Sequence, residues 1–268
     1  MTEPKPAEDK KIDRRFQKEI EIDAPVEEVW KALTDGEELA RWFPLEARVS
    51  PGPGGKIFIS WGRDCEGEAQ IVTWEPGKKF AWKDPMSLVE WTLETRGGKT
   101  VVRLSQSGFL GNADWENEWF ESTGYGWGFM LRSLQVALGR HRGIPRQVAW
   151  PRLKVALSRE AAYQKLLSAG ALFTHDLSSM LKPGEKYSMS TPAGESYSGR
   201  VEFLREHRGF CLTVHEMNDA LLWLTIEGAP ESIEVQVWLS AFDLEPARVE
   251  SFREKWQQRL QEIFQTAN

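Results

Sequence analysis

Apolar and charged residues alternate from Arg15 to Asp23 through Phe16, Lys18, Ile20 and Ile22, the period of a half-buried strand. Asp23-Ala24-Pro25 stops it. Pro25 suits the first turn of a helix, Glu27 and Glu28 favour its N-terminal dipole, and Val26, Val29, Trp30 and Leu33 form an apolar stripe at helical spacing. Asp35-Gly36 closes that helix, and residues 37–43 read as a second, short helical piece. From Ala47 to Gln106 the pattern changes to short strands near residues 56–61, 66–74, 79–83, 88–95 and 100–106. Turn signals divide them at Pro51-Gly52-Pro53-Gly54-Gly55, Glu75-Pro76-Gly77 and Arg96-Gly97-Gly98-Lys99, as in an antiparallel meander. Val89, Trp91 and Leu93 share one face of their strand and Glu90, Thr92 and Glu94 the other, so one side of the sheet is covered and one is wet. The cover follows in residues 123–142, where Trp127, Met130, Leu131, Leu134 and Leu138 form a helical stripe opposite Arg132, Ser133, Gln135 and Arg140. Gly124, Gly126 and Gly128 weaken the start of this helix, each by up to about 1 kcal/mol relative to alanine, and predict fraying or a kink there.

Residues 144–151, from Ile144-Pro145 to Trp150-Pro151, read as a linker. The same order of elements then returns: a strand over 153–157, a helix capped by Ser158 with Ala162, Tyr163, Leu166 and Leu167 inward, and strands near 185–190, 198–204, 210–215, 220–226 and 233–239. Asp243-Leu244-Glu245-Pro246 opens a last helix with Val249, Phe252, Trp256, Leu260 and Ile263 in register. The chain is a duplication by pattern, with little identity between its halves.

A length of 268 residues suits two domains, each large enough to bury its own core. The boundaries expected are a disordered tail at 1–13, a first domain at 14–143, the linker, and a divergent second domain at 152–268. The net charge of −6 comes from interspersed acids and bases, so neither nucleic acid nor a membrane is an expected partner. Two distant cysteines, Cys65 and Cys211, suggest a reducing cytoplasm, and no apolar run approaches the roughly 18 residues of a membrane span. Tryptophan is the outlier: of 13 in all, ten lie between Trp30 and Trp150, surface suited to a packed core or to the wall of a pocket.

An ordered set of short motifs runs through the first half. It comprises Ile22-Asp23-Ala24-Pro25, Val29-Trp30-Lys31-Ala32-Leu33-Thr34, Leu39, Arg41-Trp42-Phe43, Gly54-Gly55 and Glu75-Pro76 before Phe80-Ala81-Trp82. Gly98-Lys99-Thr100, Ser107-Gly108-Phe109 and Gly126-Trp127 complete it. Over about residues 14–142 this set resembles the bacterial homologues of the activator of the heat-shock-protein-90 ATPase. That family lies in the superfamily of START-like and birch-pollen-allergen-like (SRPBCC) domains. The resemblance implies the helix-grip fold, so the expected class is α+β, with two tandem helix-grip domains, each a curved antiparallel sheet wrapped around a long C-terminal helix. It also implies a cavity between sheet and helix for an apolar small molecule, with Trp42, Phe43, Trp61, Trp82, Trp91, Phe109, Phe120, Trp127, Met130 and Leu131 as candidate lining. The alternative is that these side chains fill the core. The eukaryotic co-chaperones of this name carry a separate N-terminal domain with an asparagine- and tryptophan-rich motif that is not found here, so a chaperone partner ranks behind a small-molecule ligand.

Chemistry-bearing motifs are scarce. Residues 50–57 brush against a phosphate loop but place Ser50 where its first glycine belongs and Ile57 where its hydroxyl belongs. Gly124-Tyr125-Gly126-Trp127-Gly128 follows no strand and lacks dinucleotide spacing, and Gly194 to Gly199 has one residue too many for a nucleophile elbow. The histidines, His141, His175, His207 and His215, complete no metal set. Asp114, Glu116, Glu118 and Glu121 flank Trp115, Trp119 and Phe120 near the expected cavity mouth, where indole could raise a carboxylate pKa or the acids could form a solvated face. The reading is a non-enzymatic, cofactor-free binding protein, with a chaperone-regulator module as the alternative and a cavity cyclase or lyase as the third choice.

Overall fold

The computed structural model describes residues 14–62, 65–111, 113–228 and 232–265. The expected tail at 1–13 lies outside them. Strand β1 (Arg14–Ile22) leads into helix α1 (Val26–Thr34), whose N-cap is Pro25, and into α2 (Gly36–Ala40), where the Asp35 side chain accepts from the Glu38 amide. The meander follows as β2 (Glu46–Ser50), β3 (Lys56–Ser60), β4 (Glu66–Glu75), β5 (Lys79–Lys83), β6 (Leu88–Arg96) and β7 (Lys99–Phe109). These form one antiparallel sheet in the order β1-β7-β6-β5-β4-β3-β2. Its inner residues rest on α3 (Asp114–Arg140). Strand β2 is an addition to the sequence reading: Pro44 and Pro51 bracket a run too short to announce itself, and β3 is its one strand partner while Ala47 and Val49 pack on the core.

The second half comprises β8 (Arg146–Ala149), β9 (Arg152–Val155), α4 (Arg159–Leu167), β10 (Lys186–Ser190), β11 (Ser196–Arg205), β12 (Gly209–Val214), β13 (Ala220–Glu227), β14 (Ile233–Phe242) and α5 (Pro246–Gln265). Its sheet runs β10-β11-β12-β13-β14-β8, with β9 also on β14. The chain is thus α+β, two tandem helix-grip domains. One expectation needs correction, because part of the presumed linker is strand β8, paired with β14 from Leu239↔Ala149 to Phe242↔Arg146. Pro145 and Pro151 mask it locally, and its partner lies about ninety residues ahead, beyond the reach of a periodicity argument.

Helix α3 serves both domains. Trp127, Met130, Leu131, Leu134 and Leu138 pack on the first sheet, as their spacing predicts. The opposite side, read as simply polar, meets the back of the second sheet. Phe129 stacks on Trp223 at 4.6 Å, Tyr125 meets Phe203 and Trp223, Ser133 is wholly buried, and Arg132 pairs with Glu202 at 2.7 Å. Alternation in the second sheet explains the arrangement. Leu222, Leu224, Val235 and Val237 face α5, whereas Leu221, Trp223 and Trp238 face α3, so β12 and β13 are buried on both faces. The layers therefore run sheet, α3, sheet, α5. Burial on two sides also holds α3 helical through Gly124, Gly126 and Gly128, where fraying or a kink was expected; the helix is about 40 Å long. Trp238 of β14 reaches across to the first domain, with its ring centre 5.7 Å from that of Trp61 and 6.4 Å from that of Phe129.

Candidate ligand cavity of the first domain

A cavity of about 610 Å³ lies between the first half of α3 and the strands β3, β4, β5 and β7. Strand alternation directs Ile57 and Ile59 of β3, Trp82 of β5 and Gln106 of β7 toward it. The turn after α2 brings Phe43, and α3 contributes Trp119, Thr123, Gly126, Trp127 and Met130. Its wall is aromatic: Phe43 stacks on Trp127 with ring centres 4.8 Å apart, and Trp61 meets Phe43 edge-on at 5.3 Å. Gly126 matters by what it lacks, since a Cβ there would meet nothing within 4 Å. The helix thus presents bare backbone to the space instead of a side chain that would fill it.

The polar group deepest in this wall is Gln106. Its parity in β7 matches Val102 and Leu104, so an amide stands where an apolar residue is the rule. Trp127 Nε1 donates to Gln106 Oε1 at 2.6 Å, and because an indole nitrogen only donates, the oxygen must face the tryptophan. The Gln106 Nε2 donors have no protein partner among the described residues, and the side chain lines the cavity while only 7 % exposed. Cys65, Glu66, Glu68 and Asp84 surround the mouth. Asp84 accepts from the Met86 and Ser87 amides at 2.7 Å each and from Ser87 Oγ at 3.0 Å, and Glu68 pairs with Lys56 at 2.6 Å. These two acids are therefore committed to a turn and an ion pair.

Of the ten residues put forward from the sequence, Phe43, Trp61, Trp82, Trp127 and Met130 line the cavity. The other five stand elsewhere. Trp42 is buried beneath Phe43 and donates to the Ala32 carbonyl at 2.8 Å; Trp91 lies fully buried behind Trp82 and Trp127. Phe109 packs between Phe16, Trp119 and Phe120, Phe120 opens on a different cleft, and Leu131 is core. The polar Gln106 on an apolar parity was the available signal for the lining that the aromatic inventory passed over.

The acids of α3 do not serve the cavity. Glu118 turns to the second domain, accepting from Arg208 at 2.8 and 2.9 Å and pairing with Arg159 at 2.7 Å. Burial is the largest single influence and would raise its pKa, but the Arg208 and Ser122 hydrogen bonds and the Arg208 and Arg159 charges together outweigh it and hold the carboxyl below its usual range, the reverse of the shift considered from sequence. Glu121 pairs with Arg205, and Glu116 accepts from the Ala113 amide at the helix start. Among the described residues no cluster of His, Cys, Asp and Glu is arranged to hold a metal ion, and no helix is long and apolar enough to cross a membrane. In the second domain the equivalent space between α5 and the β10–β11 turn is smaller, about 330 Å³, and Phe173, Tyr197 and Trp256 pack together beneath it.

The fold is that of a helix-grip module, and such a fold supports a ligand-binding or regulator-type role. Residues 23–139 match the family model described as Activator of Hsp90 ATPase homolog 1-like protein, so this part of the chain is similar to that family. Among solved structures, the Aha1 dimer from Colwellia psychrerythraea is similar over 48 % of this chain and 99 % of its own, at 22 % identity and TM-score 0.43. DynU16, a putative protein in the dynemicin biosynthetic locus, is similar over 94 % of this chain and 96 % of its own, at 16 % identity and TM-score 0.41. The di-domain ARO/CYC StfQ from the steffimycin biosynthetic pathway is similar over 92 % and 94 %, at 15 % identity and TM-score 0.40. No curated protein matched.

Proposed function

We propose that the first domain is a non-catalytic carrier or sensor for a flat, largely apolar small molecule that bears one hydrogen-bond acceptor. The observation that supports this most is the aromatic cavity lined by one amide side chain, Gln106, whose Nε2 has no protein partner among the described residues and is open to the space. An aromatic slot selects flatness, and the amide selects a carbonyl or similar oxygen. Neither Gln106 nor Trp127 exchanges a proton near neutral pH, which favours binding over acid–base chemistry. In this reading the protein works in the cytoplasm without a cofactor, and the second domain supports α3 from behind.

The test is titration with a neutral naphthyl ketone dye whose emission shifts blue in apolar surroundings. A saturable blue shift is expected in the intact protein, weakened at least about tenfold in Gly126→Leu, which fills the cavity from open space, and in Gln106→Leu. An unshifted spectrum, or equal affinity in all three proteins, removes the reading. The family match favours a second reading, a regulator that docks on a chaperone ATPase. A turnover assay with a heat-shock-protein-90 ATPase decides it, and an unchanged rate counts against it.

A further inference from the structure

A second cleft, of about 460 Å³, separates β1 and the outer side of α3 from β11 of the second domain. It is distinct from the cavity above: Gly126 and Trp127 face that one, whereas Gly124 and Gly128, two positions away on the helix, face this one. Its floor is bare helix, because a Cβ on Gly124 would meet nothing within 4 Å and one on Gly128 would meet only Lys18 Nζ, at 3.8 Å. Phe16, Phe120 and Phe203 supply apolar walls.

The charges in this cleft do not balance. Lys18 occupies an inward parity of β1, in line with Phe16, Ile20 and Ile22, where an ammonium is out of place. Among the described residues no carboxylate lies within ion-pair distance of it. Arg205 enters from β11, and Glu121, the one acid in the lining, is already paired with Arg205. Two cations thus share a partly dry space with one anion. Burial first, and then the Arg205 charge, hold the Lys18 pKa below its ordinary value, which marks a site short of negative charge.

We propose that this interdomain cleft binds an amphiphilic anion, a carboxylate on an apolar chain, with its head between Lys18 and Arg205 and its tail against Phe16, Phe120 and Phe203. An arriving carboxylate gives Lys18 the partner it lacks and leaves the Arg205–Glu121 pair intact. The ligand would bridge β1 and α3 of the first domain to β11 of the second, and so report on how the two are joined. This site is independent of the neutral-ligand reading of the first cavity.

The experiment is calorimetric titration of the full chain with decanoate below its micelle concentration, with decanol as the uncharged control. One saturable decanoate site is expected, at least about tenfold tighter than decanol. Lys18→Met should abolish that preference, Lys18→Arg should retain it, and Gly124→Leu should block the site by filling it without touching a charge. Gly126→Leu, which fills only the first cavity, should leave decanoate binding unchanged. The absence of a decanoate site, equal affinity for acid and alcohol, full binding in Lys18→Met, or loss in Gly126→Leu would each overturn the proposal.

Discussion

Gln106 and Trp127 form the polar contact on which the cavity wall depends. In Gln106→Leu the indole nitrogen loses its acceptor inside an apolar wall, a loss of about 1–3 kcal/mol. Thermal unfolding should register this as a lowered Tm, while Gln106→Glu, which keeps an acceptor for the indole, should recover part of it. His141 provides a separate handle. It is 6 % exposed and stacks on Phe242 at 4.6 Å, and burial holds its pKa below the ordinary 6.5. Between the folded value and the unfolded one the unfolded chain binds more protons, so stability is level above about pH 6.5 and falls as pH drops through that window. Tm measured from about pH 8 to pH 5 should show this fall, and His141→Gln should flatten it. At this scale the sequence was legible in part. The aromatic residues announced themselves, but which of them enclose space depends on neighbours such as Gly126 and Gln106, and neither is conspicuous in a hydrophobic inventory.

Helix α3 and the strands facing it were readable because their patterns are local. The stripe from Trp127 to Leu138 and the alternation in β6 each imply one covered face. What escaped was the second covered face of α3, since Tyr125, Phe129 and Ser133 become interpretable only once a sheet from distant sequence lies across them. Strand β8 escaped for the same reason. One turn-like residue inside an element has a sharper role: Gly108 sits at φ +111° in β7, and a Cβ there would lie 2.2 Å from the Met86 carbonyl oxygen. Gly108→Ala should therefore destabilise the β6–β7 pair that carries Gln106, by more than about 1 kcal/mol, read as a lowered denaturant midpoint with unchanged m.

The whole molecule is a stack in which α3 belongs to two cores, so the domains of this duplication are not independent units. Arg146 of β8 donates to the Phe43 and Pro44 carbonyls, and Trp238 packs on Trp61, so the second domain also buttresses the cavity wall. The intact chain should unfold in a single calorimetric transition. A fragment of residues 14–143 exposes Tyr125, Phe129 and the Arg132 guanidinium, and gel filtration should show it associating or failing to fold. The crystal structure of the protein with the neutral naphthyl ketone tests the central claim most directly. The account predicts the ring system between Trp61, Trp82 and Trp127, with the ketone oxygen about 2.8–3.1 Å from Gln106 Nε2. A ketone bound elsewhere, or side chains closing the space around Gly126, would contradict it.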